Sequence, residues 1–241
     1  DPGKLTQVRD GQMRVQDQGS QLSALMLSRA RKTLPGELWL DMCAGPGGKA
    51  ALLAAEAKIS RAHFFANEIA PHRAKLVKQA LSKVDPEVEV SVGDGREFGT
   101  DFQEKFDRIM LDAPCTGLGA LRRRPEARWR KQPNDVAELS KLQQDLIESA
   151  WNALKPGGLL AYVTCSPHSA ETVSIVDWLI RRHGTQVELI DAGGVLHEIN
   201  PDLALNRKRK TVQLWPQVHE TDAMFMALIS KRSEGEDRVN S

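Results

Sequence analysis

The feature that most restricts the fold is an alternation. Short apolar runs, most ending in a turn that carries an acid or a thiol, are separated by segments of helical periodicity. Residues 38–42 run into Gly45-Pro46-Gly47-Gly48, and residues 63–66 into Asn67-Glu68. Residues 88–92 lead to Gly93-Asp94-Gly95, 108–111 to Asp112-Ala113-Pro114-Cys115, and 159–163 to Thr164-Cys165-Ser166. Between them, helices are predicted over 18–34, 49–58, from Pro71 onward, over 135–154 and over 170–183, with Lys155-Pro156-Gly157-Gly158 ending the long one. Residues 186–190 and 224–230 read as further strands, and 212–215 as a hairpin partner of the last. Such alternation predicts a doubly wound α/β sheet, mostly parallel. In open sheets of this kind ligands sit outside the carboxyl ends of the strands. Asp41, Glu68, Asp94, Asp112 and Cys165 all fall at that edge, which points to one site.

Composition narrows the class. At 241 residues and 41% apolar, the chain can bury one sizeable core. The formal net charge of +1 selects no partner, so local clusters must carry any nucleic-acid argument. Cys43, Cys115 and Cys165 lie far apart with no CxxC pair, which argues against a zinc site and for free thiols in a reducing, cytoplasmic compartment. No metal is expected. No apolar run is long enough to cross a bilayer, so no membrane partner is expected either. The expected division is an amino-terminal extension and helix over 1–35, a catalytic domain over 36–232 and a disordered tail over 233–241. The first dozen residues are polar and expected to be mobile. Asp1 is not an initiator, so a cut from a longer protein is expected.

The segment Asp41-Met42-Cys43-Ala44-Gly45-Pro46-Gly47-Gly48-Lys49 is the most informative for a cofactor. Glycines let backbone approach a ligand, and the helix that follows offers free amides at its positive end. Gly45, Gly47 and Ala50 also fit a dinucleotide fingerprint with Glu68 about 20 residues on, a weak match by itself. Two acids favour an adenosyl ligand without phosphates: Glu68 can grip ribose hydroxyls, and Asp94 can accept from the adenine amino group. Against this stand helix-start and turn roles, which either acid alone fits as well.

The two later cysteines end neighbouring strand runs, so both thiols can face one substrate. Carbon 5 of a pyrimidine is a poor nucleophile until a thiolate adds to carbon 6; it can then attack a sulfonium methyl, after which a base must take the carbon 5 proton. A free thiol ionises near pH 8.5, so a cation or donor must favour the thiolate. Asp112 can hydrogen-bond the base edge, and Lys49 can orient the base or stabilise charge. Cys43 reads equally as core filler and as a loop member.

With these residues in view, the chain resembles the Sun/Nop-type RNA (cytosine-5) methyltransferases, and among them the bacterial Fmu/RsmB group acting on small-subunit ribosomal RNA. The likeness runs from Val15-Gln16-Asp17-Gln18-Gly19-Ser20-Gln21 to Leu214-Trp215-Pro216 and Thr221-Asp222-Ala223-Met224-Phe225. It implies a class I, Rossmann-like seven-stranded sheet with S-adenosylmethionine as cofactor. It implies that Cys165, in the Thr-Cys pair, is the nucleophile and that Cys115 assists product release. It implies cofactor contacts from Cys43, Ala44, Gly45, Pro46, Gly47, Gly48, Lys49, Glu68, Asp94 and Asp112. Members usually carry an amino-terminal RNA-binding domain, expected to be missing here, and this chain is expected to be a monomer. The chain departs from the family in Ala44-Gly45-Pro46, Ala50, Arg124-Pro125-Glu126 and Ala223, none of them a thiol or a cofactor acid.

Arg122, Arg123 and Arg124, with Arg128, Arg130 and Lys131, follow the Cys115 turn and suit RNA phosphates, and Trp129 suits stacking or packing. Arg207-Lys208-Arg209-Lys210 reads equally as a contact or as a solvated face. The target cytosine must be unstacked to expose carbon 6, so a loop or locally opened RNA is the expected substrate, ribosomal or transfer. Two readings from other classes compete: a nicotinamide-dependent oxidoreductase, which leaves both thiols unexplained, and a non-catalytic RNA-binding module, which leaves the cofactor acids unexplained.

Overall fold

The computed structural model describes residues 4–10, 13–206 and 208–233. Most of the tail assigned as disordered, together with Arg207, lies outside the described residues. Eight strands are present among the described residues: β1 (Leu38–Asp41), β2 (His63–Asn67), β3 (Glu89–Ser91), β4 (Phe106–Asp112), β5 (Leu154–Thr164), β6 (Val187–Ile190), β7 (Val212–Gln213) and β8 (Phe225–Lys231). Seven follow the order β3-β2-β1-β4-β5-β8-β6, and β7 pairs with β8 to one side. Strands β1 to β5 pair in parallel, whereas β8 runs antiparallel to both β5 and β6. The order reverses between β1 and β4, which is where a doubly wound sheet opens a crevice at its carboxyl edge.

Side chains alternate between the two faces along each strand. Trp39, Met110, Ala161 and Val163 join one core with the helices Gln18–Arg29, Gly48–Ile59, Pro71–Leu81 and Ala192–Ile199. Leu40, Ile109, Leu111, Leu160 and Tyr162 join the other, under the helices Pro133–Ala153 and Val173–His183. These strands are therefore apolar on both sides, as buried parallel strands must be.

Four boundaries differ from the sequence reading, each with a visible cause. The first long helix stops at Arg29 rather than near residue 34. There the buried Arg108 guanidinium collects the carbonyls of Leu27, Ser28 and Arg31, which a continuing helix would have kept. Strand β5 starts at Leu154, taking in the Pro-Gly-Gly stretch read as a break; a register shift opposite Phe106 and Arg108 accommodates it. The segment after Ser169 splits into a short 3-10 turn, Ser169–Glu171, and the helix Val173–His183, because Thr172 leaves helical geometry while Glu171 turns into the core. Near the amino end, a single turn, Thr6–Arg9, with no buried residue stands where mobile chain was expected.

Arg108 also ties the first helix to the sheet. It is fully buried, donates to Glu37 Oε2 at 2.8 Å and lies over the Trp39 ring, whose Nε1 donates to the same carboxylate. Burial pushes the Glu37 carboxyl up, but the donors from Arg108, the Leu34 amide and Trp39 outweigh it and hold the group below its usual range. Removing one member of a buried pair strands the other, at a cost of about 3–5 kcal/mol. Arg108→Met is expected to lower unfolding stability by about that amount in urea titration, and a loss under about 1 kcal/mol contradicts this account.

Candidate active site

Strands β4 and β5 are parallel neighbours, with Asp112 opposite Val163, so the turns that follow them emerge side by side. That register brings the sulfurs of Cys115 and Cys165 to 3.4 Å. Either sulfur can donate to the other at this distance, and the Cys165 thiol is held below its ordinary value mainly by its hydrogen bond with Cys115. Burial and the Asp112 carboxylate oppose this, while Lys49 supports it. Cys115 is raised for the complementary reasons, its hydrogen bond to Cys165 first and burial second.

Lys49 stands at the start of the helix Gly48–Ile59 and donates to Asp112 Oδ2 at 2.9 Å and to Ser20 Oγ at 3.2 Å. Burial works against its ammonium, but the Asp112 carboxylate outweighs that and keeps the group charged. The glycine loop and the thiol turns thus meet through one ion pair.

The loop after β1 is built for backbone approach. Gly47 has φ 101°, and a Cβ there would meet Ala80 Cβ at 2.7 Å, so only glycine fits. Glu68, buried at the end of β2, accepts from the amides of Gly45 and Ala70, both at 3.0 Å. Arg73 spans the same loop, donating to Gly45 O at 2.6 Å and standing 3.5 Å from Glu68. Asp94 caps its own turn and is gripped by Arg96 through both oxygens. That pair is solvent-exposed, and exposed pairs contribute about 1 kcal/mol or less, so a ligand can displace the arginine. Asp41 is the outlier: it is fully buried, and neither carboxylate oxygen has a hydrogen-bond partner. Burial, then the nearby Asp112, push its carboxyl up to about 8, with Lys49 and the Cys43 amide pulling only partly the other way.

Cys43 sits apart from the thiol pair. It packs against the core under the long helix, and burial pushes its thiol up, as expected for a small apolar filler. The basic segment divides. Arg123 forms a forked pair with the buried Asp222, and Arg122 bonds Asp17 at 2.9 Å, so these two brace the fold even though about half of each side chain is exposed. Arg124, Arg128 and Arg130 are exposed, with Arg128 lying over the exposed Trp129 ring at 4.8 Å. His168 turns its Nδ1 onto the Ala170 amide, closing a turn rather than facing a thiol.

Sequence reading missed three parts of this neighbourhood. Asp17, Thr221 and Asp222 form a clasp in which Thr221 Oγ1 bonds both Asp17 and the Gly19 amide. Gly119 fits where a Cβ would lie 2.0 Å from the Ala223 carbonyl oxygen and 2.7 Å from that of Cys165. Glu171, buried beneath both thiol turns, accepts from Thr116 and Ser166. Asp17, Thr221 and Asp222 were visible only as quoted letters, because no local pattern tells that distant segments meet. Among the described residues no cluster of His, Cys, Asp and Glu is placed to hold a metal, and no helix is long and apolar enough to cross a membrane.

A family model described as 16S rRNA methyltransferase RsmB/F matches residues 30–230. A Mycobacterium tuberculosis protein, itself only provisionally called a methyltransferase, is 50% identical over 96% of this chain and 49% of its own length. Ribosomal RNA small subunit methyltransferase B of Serratia proteamaculans is 36% identical over 92% of this chain and 48% of its own. The crystal structure of PH0851 superposes with a TM-score of 0.84 at 29% identity, covering 96% of this chain and 50% of that one. The chain therefore spans about half the length of the curated relatives it matches.

The unpaired Asp41 sets the sign of one pH effect. Its carboxyl titrates near 8 when folded against an ordinary 3.8, so folding takes up a proton across that window and this group's contribution falls as pH rises through it. Asp41→Asn removes the dependence. In thermal melts its midpoint relative to the unaltered chain is expected to climb steadily from about pH 5 to about pH 9; a flat difference contradicts the assignment.

Proposed function

The chain belongs to the RsmB/F family of 16S rRNA methyltransferases, and from that membership we propose that it methylates carbon 5 of a cytosine in RNA, with small-subunit ribosomal RNA as substrate, through a transient bond from Cys165 to carbon 6. The observation that carries the reading is the 3.4 Å thiol pair at the ends of β4 and β5, with the Lys49–Asp112 pair beside it. Ordinary dehydrogenase chemistry has no use for two such sulfurs.

The methyl donor of the family is S-adenosylmethionine, and the residues at the edge of β1, β2 and β3 fit it. The molecule is a cation with no phosphates, and the edge offers carboxylates rather than lysines: Asp41, Glu68 and Asp94. Asp41 brings two buried oxygens without a well-formed hydrogen bond, and a ligand's ammonium beside them would favour the ionised form that burial now opposes. The loop from Cys43 and Ala44 through Gly45, Pro46, Gly47 and Gly48 brings backbone amides, and Glu68 retains lone pairs for ribose hydroxyls once Arg73 swings aside. When bound, the cofactor supplies an electrophilic sulfonium methyl.

The chain's own residues account for the remaining steps. Asp112, held by Lys49, accepts from the cytosine amino group and orients the ring. The Cys165 thiolate adds to carbon 6, which makes carbon 5 an enamine-like nucleophile able to take the methyl. Lys49 offsets charge building on the ring. Bonding to carbon 6 removes the negative charge that kept Cys115 protonated, so the Cys115 thiol becomes easier to ionise at the stage when a base is needed for the carbon 5 proton. Loss of that proton expels Cys165 and restores aromaticity. Arg124, Arg128 and Arg130, with Trp129, form the exposed contact surface for RNA phosphates and bases, and Arg122 and Arg123 brace it from beneath. Ribosomal RNA as substrate sets the cytoplasm as the place of work.

The test is methyl transfer from labelled S-adenosylmethionine to small-subunit ribosomal RNA, with 5-methylcytidine read by mass spectrometry. Cys165→Ala is expected to abolish transfer with cofactor affinity within about twofold of normal. Cys115→Ala is expected to accumulate a protein–RNA adduct that survives denaturing gels. Transfer by the Cys165 variant at anything near the native rate would falsify the proposal.

A further inference from the structure

We propose that Glu171 is the positioning residue of the thiol pair, holding the turns that carry Cys115 and Cys165 together from beneath through Thr116 and Ser166. The inference rests on the cysteine reading above and deepens it.

Glu171 is fully buried, and no cation pairs with it among the described residues. Buried carboxylates without a countercharge are costly unless donors surround them. Here four do. Its Oε1 accepts from the Thr116 amide at 2.8 Å and from Gln143 Nε2 at 3.3 Å. Its Oε2 accepts from Thr116 Oγ1 and from Ser166 Oγ, both at 2.6 Å.

The donors are placed with a purpose. Thr116 follows Cys115 directly, and Ser166 follows Cys165 directly. One carboxylate oxygen therefore joins the residue after each thiol, across two turns 50 residues apart in sequence. The backbone of Glu171 adds to the tie, since its carbonyl accepts from Tyr162 Oη at 2.8 Å on the strand that ends in Cys165. Gln143, from the long helix, bonds Glu171, the Pro114 carbonyl and the Tyr162 hydroxyl, and so closes the ring of contacts. Among the described residues Glu171 makes these hydrogen bonds to Thr116, Ser166, Gln143 and Tyr162 rather than to a sulfur, so it acts through the two turns.

The arrangement has an electrostatic side as well. The Glu171 charge faces Cys115 and adds to what keeps that thiol protonated. Around Cys165 itself the charged groups are Lys49, Asp112, Asp222, Arg123 and the Cys115 thiol.

The test uses the whole chain and needs no RNA. Alkylation of Cys165 by iodoacetamide, followed by mass spectrometry across a pH series, reads its ionisation. Oxidation of the Cys115–Cys165 pair by diamide, which takes up the two protons and two electrons, reads how often the sulfurs meet. In Glu171→Gln an amide donor replaces an acceptor opposite Thr116 and Ser166. Its Cys165 alkylation profile is expected to move to higher pH and diamide closure to slow at least about tenfold. Glu171→Asp, which keeps the charge, is expected to recover part of both. Methyl transfer should then fall in kcat with KM for RNA and cofactor affinity unchanged. Thr116→Val removes a single donor and is expected to give a smaller change of the same sign; it serves if the glutamine variant does not fold. Native alkylation and closure in the folded variants overturn the proposal. Absence of methyl transfer by the unaltered chain would instead defeat the functional reading, and the thiol measurements would still decide the role of Glu171.

Discussion

Two sulfurs held 3.4 Å apart in a largely buried site cannot both carry charge, and much of the site's layout follows from that restriction. Ionising one disfavours ionising the other, and the surroundings bias which sulfur keeps its proton. Burial and Glu171 favour keeping it on Cys115, while Lys49 favours charge on Cys165. Any event that neutralises Cys165 alters the ionisation of its neighbour without a residue having to move.

Holding that geometry is the work of the sheet and of contacts distant in sequence. The parallel pairing of β4 with β5 sets the two turns side by side, and Gly119 lets the backbone after Cys115 pass against the carbonyls of Cys165 and Ala223. The Gly119 amide donates to Cys165 O and the Ala223 amide to Gly119 O, both at 2.9 Å, so three chain segments share one short ladder. Outside it, the Asp17–Thr221–Asp222 clasp with Arg122 and Arg123 ties the start of the first long helix to the approach to β8. The basic residues next to the thiols thus serve two purposes: an inner pair that braces, and an outer set that stays free in solvent.

Much of the fold was legible because its signals are local. Apolar runs such as Arg108 to Leu111 can only be buried strands, and Pro71 and the glycine loop mark helix starts. The carboxyl-edge rule then gathers Asp41, Glu68, Asp94, Asp112 and Cys165 at one rim before any coordinates are known. What escaped were features whose cause lies elsewhere in the chain. The helix end at Arg29 is decided by Arg108, nearly eighty residues later. Glu171 reads as one more polar residue at a helix start, since nothing near it in sequence announces that Thr116 will lie over it. The arginines of the basic run look alike as letters, and only the positions of Asp17 and Asp222 separate braces from free cations. Arg73 and Arg96 were likewise invisible as partners of Glu68 and Asp94.

The approach to β8 has a consequence for how the molecule comes into being. Residues 221–223 wall the thiol turns, yet they are synthesised more than a hundred residues after Cys115. A nascent chain that has already laid down β1 to β5 still lacks the antiparallel strand that seats beside Cys165. Long-range pairing of this sort closes late, because the loop entropy must be overcome before its contacts form. The thiol turns are therefore without one of their walls until the chain has been made past residue 231.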